Sequence, residues 1–153
     1  MSRETFDVVP HEGIGPVKLG MTRDEVAAAL GEPGNGFDPN EWYWRSSAVH
    51  VCFDGNGRAE YIEVSAVEAL QARLNDVPIL EIDAEEALAL LTALAPYDPD
   101  DRELGYSYIF PALELAVWRP VLPEEGDVLD PFGDPNGRSF STVGVGVKGY
   151  RSS

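Results

Sequence analysis

The chain has 153 residues, 44 % of them apolar and 25 % charged, with 27 Asp plus Glu against 11 Lys plus Arg for a formal net charge of −16. This composition is globular and long enough to bury about 68–70 % of the surface that the unfolded chain exposes, so one compact domain over 1–153 is expected. The charge repels phosphate backbones and anionic lipid, which argues for no nucleic acid and no membrane among the partners and favours a basic protein partner.

The N-terminal residues Met1–Asp7 show no apolar run, cleavage pattern or lipid-attachment cysteine, and no later stretch approaches the ~20 apolar residues of a membrane span. Cys52 is the single cysteine, so an intrachain disulfide is impossible. Together these features predict a cytoplasmic protein.

The first helix signal is Thr22-Arg23-Asp24-Glu25, a capping box in which the Thr22 hydroxyl accepts from the Glu25 amide and the Glu25 carboxylate reaches back. Val26, Ala29 and Leu30 form a helical stripe that Gly31 and Pro33 terminate, predicting a helix over about 22–30. Trp42-Tyr43-Trp44 is rich in strand formers. Val49, Val51 and Phe53 alternate with His50 and Cys52 at the period of a half-buried strand. Asp54-Gly55-Asn56-Gly57 makes a hairpin turn into a return strand over about 58–65, with Ile62 and Val64 on one face and Tyr61 and Glu63 on the other. Residues 66–74 have the composition of a short connecting helix.

The second half repeats this grammar. Asp83-Ala84-Glu85-Glu86 reads as another capping box, Ala87, Leu88, Leu90, Leu91 and Leu94 carry the stripe, and Pro96 ends it. At an offset of 61, Thr22 aligns with Asp83, Glu25 with Glu86 and Leu30 with Leu91. At an offset of 64, Trp42 and Trp44 fall on Tyr106 and Tyr108, and Val49, Val51 and Phe53 on Leu113, Leu115 and Val117. Val143, Val145 and Val147 then supply a last strand at about 140–148. The expected fold class is α+β, with two tandem α-β-β-β units over about 13–65 and 77–148 and short helices packed on antiparallel sheet. A Pro/Gly/Asp-rich loop at 121–139 replaces the tight turn of the first unit; loops of that length are commonly functional or disordered.

The segment from Gly13 through Lys18-Leu19-Gly20-Met21-Thr22-Arg23-Asp24-Glu25-Val26 to Leu30-Gly31-Glu32-Pro33 resembles the helix-entry signature of the SmpA/OmlA-type outer-membrane assembly lipoproteins. It is also similar to the β-lactamase inhibitor protein family, a tandem duplication of an α/β unit. The resemblance implies a duplicated module whose free sheet face receives a protein partner. Each motif residue has a structural task and none is catalytic. Without an export signal, a lipid anchor or the cysteines of a secreted inhibitor, neither membrane assembly nor β-lactamase inhibition carries over to this chain.

The catalytic inventory is thin. His50 and Cys52 share a strand face, with α-carbons about 6–7 Å apart, and that spacing does not by itself make a nucleophile–base pair. They offer two metal donors, but the remaining ligands cannot be identified, so no metal and no cofactor are expected. The clusters Asp98/Asp100/Asp101 and Asp127/Asp130/Asp134 do not fit a calcium loop, and Gly13-x-Gly15 and Gly55-x-Gly57 lack the setting of a phosphate loop. Strand parity instead predicts an outward face carrying His50, Cys52, Tyr61, Glu63, Glu114, Ala116 and Trp118, bared by Gly144 and Gly146. The sequence therefore suggests a non-enzymatic protein-binding module, of the inhibitor or immunity type, that captures a basic partner through His50, Tyr61, Glu63, Glu114 and Trp118. The alternative is a small-ligand-binding or enzymatic domain with a pocket between the sheet and the 121–139 loop. Sequence alone does not indicate the oligomeric state.

Overall fold

The computed structural model describes residues 4–120 and 138–148. Among these residues, ten strands and two short α-helices follow in the order β1 (Glu4–Val9), β2 (Gly13–Ile14), β3 (Val17–Lys18), α1 (Arg23–Leu30), β4 (Glu41–Trp44), β5 (Val49–Phe53), β6 (Ala59–Ser65), β7 (Leu70–Arg73), α2 (Ala84–Thr92), β8 (Ser107–Phe110), β9 (Leu115–Trp118) and β10 (Thr142–Gly146). The fold is α+β. Its larger sheet has the order β4-β5-β6-β10-β9-β8 and is antiparallel throughout. Three strands of this sheet follow each helix, β4–β6 after α1 and β8–β10 after α2, and β6 and β10 meet at its centre. A smaller sheet, β3-β2-β1-β7, closes with a parallel pairing of β1 and β7.

Alternation builds the core. Val49, Val51, Phe53, Ile62, Val64, Leu115, Val117, Val143 and Val145 turn to the inner face of the large sheet. They pack in one cluster with Phe6, Val8, Ile14 and Val17 of the small sheet, Val26 and Leu30 of α1, and Ala87 and Leu91 of α2. Each buried Val, Leu, Ile or Phe contributes about 1.5–3 kcal/mol, so this cluster outweighs any surface ion pair at about 0–1 kcal/mol. The α1 entry is the predicted capping box: the Glu25 amide donates to Thr22 Oγ1 at 3.2 Å and the Thr22 amide to Glu25 Oε1 at 2.9 Å. Gly31 ends the helix at φ 73°, a left-handed geometry that glycine adopts without steric cost. The 54–57 turn also forms as read, with Asp54 Oδ1 accepting from the Asn56 and Arg58 amides.

Four local expectations are corrected. Residues 66–74 form no helix; β7 runs beside β1 with Leu70 and Ala72 buried, because pairing to a neighbouring backbone overrides weak helical propensity. Asp83 is the N-cap of α2, but its side chain makes no capping bond. Leu94 lies beyond the helix and is 47 % exposed, so it is not part of the buried stripe. Leu113 belongs to a 3-10 turn, Pro111–Leu113, because proline fixes the backbone and interrupts the strand that the offset of 64 implied. Most of the predicted 121–139 loop falls on 121–137, outside the described residues.

Candidate functional site

The outer face of the large sheet is organised in cross-strand rows. One row runs Tyr43, His50, Glu63, Gly144, Ala116, Ile109 from β4 to β8, each residue directly opposite the next. The middle of that row is small, because Gly144 has no side chain and Ala116 only a methyl group. Tyr61 uses the space: a Cβ on Gly144 would overlap its Oη and Cζ and stand 3.0 Å from Cε2. Tyr61 is therefore laid across the sheet and only 6 % exposed.

A recess of about 180 Å³ opens beside this ring. Tyr61, Glu63, Ser107, Ala116, Trp118 and Thr142 line it from the sheet, and Asp101 and Glu103 from the loop before β8. Asp101 is held in place. Its Oδ2 accepts from Ser107 Oγ at 2.6 Å and its Oδ1 from the Glu103 amide at 2.9 Å. Glu63, Asp101 and Glu103 thus put three acidic residues in the lining of one cavity, and among the described residues no Lys or Arg lines it.

Adjacent to the recess, β4, β5 and β6 gather a second group. His50 Nε2 lies 3.0 Å from Glu41 Oε1 and 3.7 Å from Cys52 Sγ, and His50 Nδ1 lies 4.0 Å from Glu63 Oε1. The Tyr43 ring stacks on the imidazole at 4.5 Å and 7°. The contact with Cys52 and then the Glu63 carboxylate outweigh burial and raise the His50 pKa to about 10. Burial, reinforced by the charge on Glu41, pushes the Tyr43 hydroxyl above its usual value. The Cys52 thiol is within sulfur hydrogen-bond reach of His50 Nε2 at 3.7 Å.

Of the five predicted binding residues, Tyr61, Glu63 and Trp118 line the recess and His50 stands beside Glu63. Glu114 does not join them. It closes the 3-10 turn in a left-handed conformation (φ 47°), is 4 % exposed, and lines a different groove with His11, Pro111 and Lys148. The strand that would have directed it outward begins one residue later, at Leu115. Sequence reading missed Glu41, Asp101 and Glu103. Glu41 alternates with Trp42 and Trp44 and so shares a face with Tyr43, but its pairing with Cys52 needed the β4–β5 register. Asp101 and Glu103 lie in an irregular loop that no periodicity places.

Among the described residues no helix is long and apolar enough to cross a membrane. Comparison of the chain with protein-family models, with curated proteins and with solved structures finds no match.

Proposed function

We propose that this chain is a non-enzymatic binding protein, of the inhibitor or immunity type, that captures a basic protein partner by seating a lysine or arginine head group in the recess beside Tyr61. One observation carries the reading: three acidic residues, Glu63, Asp101 and Glu103, line one cavity together with Tyr61 and Trp118. Carboxylates supply charge-assisted hydrogen bonds to such a cation, and aromatic faces attract it further. The volume of about 180 Å³ suits a side-chain head group; pockets for whole drug-sized ligands run to about 300–1,000 Å³. The overall charge of −16 steers a basic partner towards the protein, and the recess gives the encounter a register. The same reading takes the protein as cytoplasmic, where its one thiol stays reduced.

The test is capture from lysate of the source cell by three baits: the wild type, Glu63→Lys/Glu103→Lys, and the charge-matched control Glu85→Lys/Glu86→Lys on the exposed side of α2. A basic protein retained at low salt by the wild type and the control, released by high salt and lost from the recess variant is the expected result. Equal loss from both variants would assign the capture to bulk charge and overturn the reading.

A further inference from the structure

We propose that Glu41, His50 and Cys52 form a binding site for one divalent ion of the zinc class on the outer face of the large sheet. Glu41 is directly opposite Cys52 across the β4–β5 ladder, and His50 precedes Cys52 by two residues on the same face. One donor atom from each of the three falls within 4.8 Å of the others. A tetrahedral ion with metal–nitrogen and metal–oxygen distances of about 2.0–2.2 Å and metal–sulfur of about 2.3 Å separates its ligands by about 3.3–3.6 Å. The observed carboxylate–imidazole and thiol–imidazole separations, 3.0 and 3.7 Å, bracket that range.

The surroundings match what a bound imidazole needs. Glu41 and Cys52 both approach Nε2, the atom that would hold the ion, while Nδ1 faces the carboxylate of Glu63. The Glu63 charge, 4.0 Å from Nδ1, favours a proton on that nitrogen and so directs the ion to Nε2. The stacked Tyr43 ring fixes the plane of the imidazole. Asp54, next in the same strand row, is taken up by the Asn56 and Arg58 amides, which leaves three protein ligands and a fourth position for water or an incoming donor. The donor set of thiolate, imidazole and carboxylate selects a borderline ion such as zinc over calcium or magnesium, which take all-oxygen shells. Coordination displaces the protons of the thiol and of Nε2 into solvent, so no oxidant or reductant is involved.

This site stands on its own geometry and does not depend on the partner-binding reading. The test uses the full chain and cobalt as a spectroscopic probe for zinc, at a mildly alkaline pH. Expected for the wild type are one equivalent of cobalt, a thiolate-to-cobalt charge-transfer band, the visible d–d bands of a four-coordinate ion, and displacement of all of these by zinc. Cys52→Ser should abolish the charge-transfer band, and His50→Gln and Glu41→Gln should each weaken zinc retention in equilibrium dialysis at least tenfold. Glu63→Gln, which acts through His50, should weaken it by about 10–100-fold while keeping the thiolate band. Glu85→Gln/Glu86→Gln should retain wild-type uptake. A wild-type protein that takes up cobalt with no thiolate band, or takes up none, overturns the proposal whether or not any variant folds. So does uptake that falls equally in the α2 control.

Discussion

Gly144→Ala should change the sign of its effect with the residue at position 61. Gly144 sits in the interior of β10, where alanine normally stabilises by about 0.5–1 kcal/mol because glycine loses more backbone freedom on folding. Here the new Cβ meets Tyr61 Oη and Cζ, and the ring, almost fully buried, must swing from the sheet. Overpacking of this kind costs about 1–3 kcal/mol. The net expectation in the wild-type background is a loss of up to about 2.5 kcal/mol, the overpacking less the backbone gain. Tyr61→Val removes the ring but keeps a strand former, and in that background Gly144→Ala should stabilise by about 0.5–1 kcal/mol. The coupling between the two positions is then the overpacking term itself. Urea unfolding of the four proteins, followed by the fluorescence of Trp42, Trp44 and Trp118, measures it. Stabilisation by Gly144→Ala in the wild-type background, or the same sign in both, would refute the claim that Tyr61 occupies the missing side-chain volume.

Three further outcomes follow from single contacts. Thr22→Ala removes the reciprocal cap of α1 and should cost about 1 kcal/mol at any salt, whereas Asp83→Ala, whose side chain makes no cap bond, should cost about 0.3–1 kcal/mol at low salt only; thermal unfolding at two ionic strengths separates them. Trp44→Phe should destabilise by at least about 1 kcal/mol more than Trp42→Phe, because buried Trp44 donates Nε1–H to the Glu32 carbonyl at 3.1 Å while buried Trp42 Nε1 has no partner among the described residues; equal costs by urea titration would contradict this. The hydrogen bonds from Arg45 hold the Glu4 carboxyl below its ordinary 4.5. A depressed acid pKa stabilises the fold above the unfolded value and loses that contribution as pH falls through the folded one. Stability should therefore drop below about pH 4.5, and Glu4→Gln should flatten that acid limb by less than about 1 kcal/mol, since Glu4 is 42 % exposed.

What the sequence made legible was whatever a local pattern determines. The Thr22–Glu25 cap, the Gly31 stop, the 54–57 turn and the inward set Val49, Val51, Phe53, Ile62, Val64 follow from short-range rules, and each formed as read. The α+β class followed from the same patterns. Errors arose where a distant backbone decided the outcome. Residues 70–73 have helix-forming side chains, yet the parallel partner β1, more than sixty positions earlier, makes them a strand. Pro111 broke an alternation that the offset of 64 had carried through, and with it the outward orientation of Glu114. The recess was half legible: parity put Tyr61, Glu63 and Trp118 on one face, but the carboxylates that close it come from a loop with no period.

Glu63 links the two proposals and decides how they are separated. Its carboxylate lines the recess and also stands 4.0 Å from His50 Nδ1. A change there alters partner binding directly and metal retention through the imidazole, so its effect alone identifies neither. Glu103 and Cys52 resolve the ambiguity, because each belongs to one site. Glu103 is exposed at the outer wall of the recess, where a lost charge mainly slows association and weakens its salt dependence. Cys52 meets His50 at Nε2, whereas Glu63 faces Nδ1, and Cys52 is not among the residues that line the recess. Glu103→Gln should therefore slow partner association at low salt with zinc retention unchanged, and Cys52→Ser should lose zinc with partner association unchanged. If Cys52→Ser instead slows association as much as Glu103→Gln does, the fourth metal position is part of the partner interface, and the two sites act as one.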